Sequence, residues 1–156
     1  MQSHRRLAVA MALLLPLTLG AGEMMQGHIM ANADGLNWAP GPGSLPAGSQ
    51  VAVLEGNPGA AGPFTLRLRF PANYQIKPHW HPTVEHVSVL TGTLYMGLGE
   101  TYDEDKAKAL TPGGFAAMDM GTRHYAFTKD EGTVIQLHGM GPWGITYVNP
   151  KDDPRQ

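Results

Sequence analysis

From Phe64 to Phe70 every second residue is large and apolar, Phe64, Leu66, Leu68 and Phe70, with Thr65, Arg67 and Arg69 between them. Side chains on a strand point alternately to opposite faces, so this stretch reads as a strand with one buried face. Comparable short runs recur between turn residues. Val51 and Val53 begin one that ends at the turn Asn57-Pro58-Gly59, and further strands are expected over 74–80, 84–90, 93–98, 115–119, 124–128, 133–138 and 145–148. Thr91-Gly92 has the character of a tight hairpin between two of them. The stretch Asp103 to Leu110 is the only candidate helix, and it reads as an acidic surface loop with a turn of helix. With 20 glycines, 13 prolines and only 15% charged residues, the 156-residue chain suits short strands and tight turns better than exposed helices. The expected fold class is all-β, a single closed barrel or sandwich.

Length and composition bound the function. The chain is long enough for one domain with a real core, 42% of it being hydrophobic. A formal net charge of −2 provides no basic surplus for nucleic acid. The absence of cysteine excludes disulfide scaffolds, thiolate zinc sites and cysteine nucleophiles. At the N-terminus His4, Arg5 and Arg6 precede an apolar run, Leu7 to Leu19, and then Gly20, Ala21 and Gly22. That is the layout of a secretory signal peptide, too short for a transmembrane helix, with cleavage expected near Ala21 or Gly22. The protein is therefore expected to be exported, periplasmic or secreted. No membrane partner is expected after removal of the leader. The expected organisation is a leader over 1–22, an extended proline- and glycine-rich arm over 23–49, a barrel over 50–148 and a tail over 149–156.

Five of the seven histidines, His79, His81, His86, His124 and His138, fall in the barrel region. His79 and His81 are two apart and so project from one strand face, and a short turn at Pro82-Thr83 starts a new strand with Glu85 beside them. Two imidazoles and a carboxylate so placed suit one borderline divalent ion: Mn, Fe, Ni, Cu or Zn. Burying these groups on an inward face without a metal would be costly.

At these residues the chain resembles the cupin family, which carries two motifs on a small jelly-roll-like β-barrel. In the first motif Asn73 occupies a glycine slot, and His79, His81, Glu85 and Gly92 follow at the family spacing. In the second, Gly113, Gly121 and His124 are in register, Asp119 replaces a proline and Thr128 an asparagine. The resemblance covers residues 50 to 148. It implies a cupin barrel in which His79, His81, Glu85 and His124 bind the metal. Asn73 tolerates the left-handed conformation that glycine would adopt. The family includes dioxygenases, decarboxylases, isomerases, sugar binders and storage proteins, so the fold alone selects no function.

Counting from an inward Glu85, Val87 and Val89 face in, and the hairpin carries that face to Leu94, Met96 and Leu98. The pocket is then small and apolar, His86 faces out, and Tyr125 and Phe127 lie outside. Asp119, Gln136 and His138 are the candidate catalytic residues. Trp80 and Trp143 are candidates for the pocket mouth, and the turn Gly139 to Gly144 for its rim. Arg67 and Arg69 are expected to meet solvent or a partner. Met24, Met25, His28 and Met30 cluster in the arm, which reads first as a flexible methionine-rich segment, with copper handling through thioethers and imidazole as the alternative. Exposed apolar Tyr125, Phe127 and Val84 would favour a homodimer. The expected activity is that of an exported small-molecule metalloenzyme of dioxygenase type. A lyase or isomerase, or a non-enzymatic ligand- or metal-binding module, are the alternatives.

Overall fold

A computed structural model describes residues 28–156. The leader, and Met24 and Met25 of the arm, lie outside the described residues. Eleven strands follow one another: β1 (Ala39–Pro40), β2 (Gln50–Glu55), β3 (Gly62–Phe70), β4 (Gln75–Trp80), β5 (Glu85–Thr91), β6 (Leu94–Leu98), β7 (Lys108–Leu110), β8 (Phe115–Met118), β9 (His124–Phe127), β10 (Thr133–Gly141) and β11 (Thr146–Tyr147). All pairings are antiparallel. They form a six-stranded sheet in the order β1-β2-β3-β10-β5-β8 and a five-stranded sheet in the order β11-β4-β9-β6-β7. Among the described residues no helix is long and apolar enough to cross a membrane.

The alternation read in β3 is what builds the barrel. Leu68 is opposite Ile135, which is opposite Val89; Leu66 is opposite Leu137, which is opposite Val87. Each cross-strand row therefore presents branched side chains to the other sheet, where Leu94 and Ala126 meet them. Burying each large apolar side chain contributes about 1.5–3 kcal/mol before entropy is charged against it. Gly92, at φ 70°, closes the β5–β6 hairpin, and Asn73 takes the glycine slot at φ 58° as expected.

Three departures from the sequence reading have local causes. Residues 103–110 contain the expected turn of helix, Glu104–Lys106, but continue into β7, which pairs with β6. Leu98 is exposed, because it stands at the end of β6, beyond the enclosed interior. Tyr125 and Phe127 do lie on the outer face of their sheet, but the chain covers them itself. The Tyr125 ring crosses Gly97, where an added Cβ would lie 2.0 Å from it, and its hydroxyl donates to the Asp103 carbonyl at 2.5 Å. Tyr102 packs on both rings and Tyr95 stacks on Phe127. Neither residue is left to drive dimerisation.

The second half of the arm belongs to the barrel. Its β1 pairs with β2, Leu45 is buried, and Tyr147 and Tyr74 donate their hydroxyls to the carbonyls of Ser44 and Pro46.

Candidate metal centre

His79 and His124 come from neighbouring strands of the smaller sheet, β4 and β9, where they are register partners with ring centroids 4.3 Å apart. A register shift between Ile76 and His79 places both side chains in the interior although they are three residues apart. Proline at 78, without an N–H to donate to a ladder, fits that irregularity, and bulges of this kind re-aim side chains. Glu85 opens β5 on the other sheet, and His81 precedes the turn joining the two. The four side chains thus span the two sheets at one end of the barrel, and all four are buried.

Three backbone carbonyls orient the imidazoles. His79 Nδ1 lies 2.7 Å from the Lys77 carbonyl, His81 Nδ1 2.7 Å from that of Gly144, and His124 Nδ1 3.0 Å from that of Thr122. A carbonyl only accepts, so each Nδ1 donates and each Nε2 is turned toward the shared space. One ligand atom from each histidine lies within 4.8 Å of the others. Glu85 reaches His124 Nε2 at 3.2 Å and His81 Nε2 at 3.4 Å. His81 Nε2 is buried without a hydrogen-bond partner. Three converging imidazoles, one with an orphaned nitrogen, beside a buried carboxylate are the donor set of a borderline divalent ion, and the residues fit one. Trp143 stacks on His81, with centroids 4.5 Å apart at 16°, and holds that ring in place.

Burial holds the His79 and His81 pKa values below the ordinary 6.5, for His79 well below, with the neighbouring imidazoles adding to the effect on His79. Burial opposes ionisation of Glu85 and His124 too. Their mutual hydrogen bond and charge outweigh it, so Glu85 is lowered from 4.5 and His124 raised from 6.5. In the metal-free protein Glu85 thus makes His124 hold a proton more firmly than an ordinary imidazole does, and a metal ion competes with that proton for the ring.

The signs set an expected pH dependence. Below pH 6.5 the unfolded chain protonates histidines equivalent to His79 and His81 that the folded chain keeps neutral, so acid favours unfolding. Glu85 acts likewise lower down: its contribution is full above pH 4.5 and is lost as pH falls through its lowered value. His124 has the opposite sign, since its contribution is full below pH 6.5 and is lost as pH rises through its raised value. His79, held well below 6.5, sets the balance, so the metal-free protein is expected to be less stable at pH 5.5 than at pH 7. Urea midpoints across this range check the sign, and a midpoint that climbs on acidification would contradict it.

The four side chains line one end of a cavity of about 300 Å³. Its walls include Leu66, Val87, Met96 and Leu137, and the arm roofs it with Pro42 and Leu45. The sequence reading missed the arm residues; a proline-rich, uncharged stretch running from Leu36 to Ala47 was the available signal. Trp143 and Gly144 rim the cavity as expected. The three catalytic candidates do not reach it. Ile135 and Leu137 take the inward positions of β10, so Gln136 and His138 face out, Gln136 accepting from Arg67 at 3.2 Å. Asp119 is exposed in the turn between β8 and β9. Trp80 is half-buried beneath the Arg123 guanidinium, away from the cavity lining. Arg69 lies over Trp38 and donates to Gln50.

A two-sheet antiparallel barrel with three converging histidines at one end defines the class. No protein-family model and no curated protein matches the chain. Solved structures do. It is similar to the polyketide cyclase RemF from Streptomyces resistomycificus, with TM-score 0.66 and 17% identity over 82% of this chain and 90% of that one. An RmlC-like cupin protein from Ralstonia eutropha JMP134 matches with TM-score 0.58 and 17% identity over 78% and 73%. A structure from work on the DMSP lyases RdDddP and RnDddQII matches with TM-score 0.58 and 14% identity over 75% and 64%. The chain has the cupin fold.

Proposed function

We propose that the protein is an exported metalloenzyme of dioxygenase type, acting on a small, largely apolar molecule through a phenolic or organic-acid oxygen. One observation carries the reading. Among the residues lining the cavity, the titratable side chains are His79, His81, Glu85 and His124, and the other walls are mostly apolar. A site without a separate acid or base favours chemistry supplied by an ion over a proton relay. His79, His81, Glu85 and His124 would hold that ion, which when bound would polarise a substrate oxygen or activate dioxygen. The apolar walls exclude water and select a greasy substrate body. Were the ion held by the three histidines alone, Glu85 would be the carboxylate in the lining free to accept a proton from a substrate oxygen.

Glu85 also favours a second reading, a lyase or isomerase that needs proton transfer and no oxidant. The polyketide cyclase and the DMSP lyase work share the fold and support it by analogy. The metal-loaded protein, assayed against a panel of small phenols and oxygenated acids, separates the two. The proposal predicts turnover that stops under anaerobic conditions and consumes dioxygen in step with substrate. Equal turnover without dioxygen would move the assignment to the lyase reading, and binding without turnover to a ligand-binding module. Export rests on the layout of residues 1–22, and a protein recovered from its host with that segment intact in the cytoplasm would contradict it.

A further inference from the structure

Strand register builds a second cluster on the outer face of the six-stranded sheet. Thr65 pairs with His138, and His138 pairs with His86. Residues directly opposite on neighbouring strands share a face, so the two imidazoles stand side by side on the side away from the cavity. Their rings are parallel to within 9°, with centroids 4.7 Å apart. Met140 follows His138 by two residues on β10 and shares its face. Met120, from the turn between β8 and β9, reaches the same cleft. Both methionines are exposed, at 55% and 70%. His86 Nδ1 is buried without a hydrogen-bond partner, as is the Thr83 hydroxyl in the same cleft.

Two exposed thioethers lining one cleft with an imidazole whose Nδ1 is orphaned are not explained by packing. Methionine normally fills gaps in a core, and a buried ring nitrogen normally finds a partner. We propose that this cleft is a second metal site, for Cu(I), held by His86, His138 and Met140 with Met120 as a further thioether. Thioether and imidazole together select a soft ion. Glu55, the carboxylate that lines this cleft, already accepts the Thr65 hydroxyl at 3.3 Å. His138 is the exposed member of the pair, so its ring turns toward a shared ion without disturbing the core. The strand that aims Glu85 into the cavity aims His86 out of it, so the two sites lie on opposite sides of one sheet. His28 and Ile29 lie in an adjoining cleft that shares Glu55 and Thr65, so the described chain begins beside this face.

The test titrates Cu(I), against a chromophoric Cu(I) chelator, into the mature protein with its interior site saturated with Zn(II). The site predicts one Cu(I) per chain beyond the zinc. His138→Ala and Met140→Leu, both exposed positions, lose that copper while melting as the unchanged protein does. His81→Ala, which removes an interior ligand, keeps it. Copper retained by both cleft variants would overturn the site, as would copper lost only with His81→Ala. Copper lost on deleting residues 23–31 but kept by both cleft variants would place it in the arm and overturn the site as well.

Discussion

His81→Ala is expected to lower affinity for a divalent metal by more than about 100-fold, since removing even a group that orients a ligand costs roughly 10–100-fold. The substitution deletes a ligand. It also leaves Glu85 with one imidazole partner instead of two and removes the ring on which Trp143 stacks. Gln136→Ala and Asp119→Asn serve as controls, because both side chains lie outside the cavity lining. Each should bind the ion as the unchanged protein does. Metal titrations with a competing chelator measure all three, and an undiminished affinity in His81→Ala would remove that histidine from the site.

Phe64→Ala is expected to have the largest effect on stability. Phe64 is 1% exposed, opens the buried row of β3, and its ring is 5.8 Å from that of Trp143. Truncating a phenylalanine in such a place costs about 3–5 kcal/mol, because the cavity left behind closes only in part. For a domain of this size that lowers the melting temperature by roughly 10 °C or more. The loss extends to the site, since Trp143 rests between Phe64 and His81. Phe115→Ala, at a position 56% exposed on the outer face, should stay within about 1 kcal/mol of the unchanged protein. Denaturant unfolding of the metal-free proteins separates the two, and equal midpoints would contradict the assigned core.

The strands were legible in the sequence because alternation is a property of single residues and their nearest neighbours. Phe64 to Phe70 and Glu85 to Val89 keep strict period two, and the structure preserves both faces. The site was legible for the same reason: His79, His81 and Glu85 lie within seven residues, and the resemblance added His124. What escaped depends on contacts distant in sequence. The inward face of β10 is set by pairing with β3 and β5, which makes Leu137 the neighbour of Leu66 and Val87 and turns His138 outward. The cover over Tyr125 depends on how residues 99–110 fold back. Arm residues become a roof only because Tyr74 and Tyr147, from far along the chain, fasten them down.

The central claim is a divalent metal held by His79, His81, Glu85 and His124. Elemental analysis of the protein recovered from its own compartment, without added affinity-tag histidines, tests it most directly. The account predicts about one equivalent of Mn, Fe, Ni, Cu or Zn per chain that disappears in His81→Ala. A gently purified protein without divalent metal, or a metal content unchanged by His81→Ala, would contradict it.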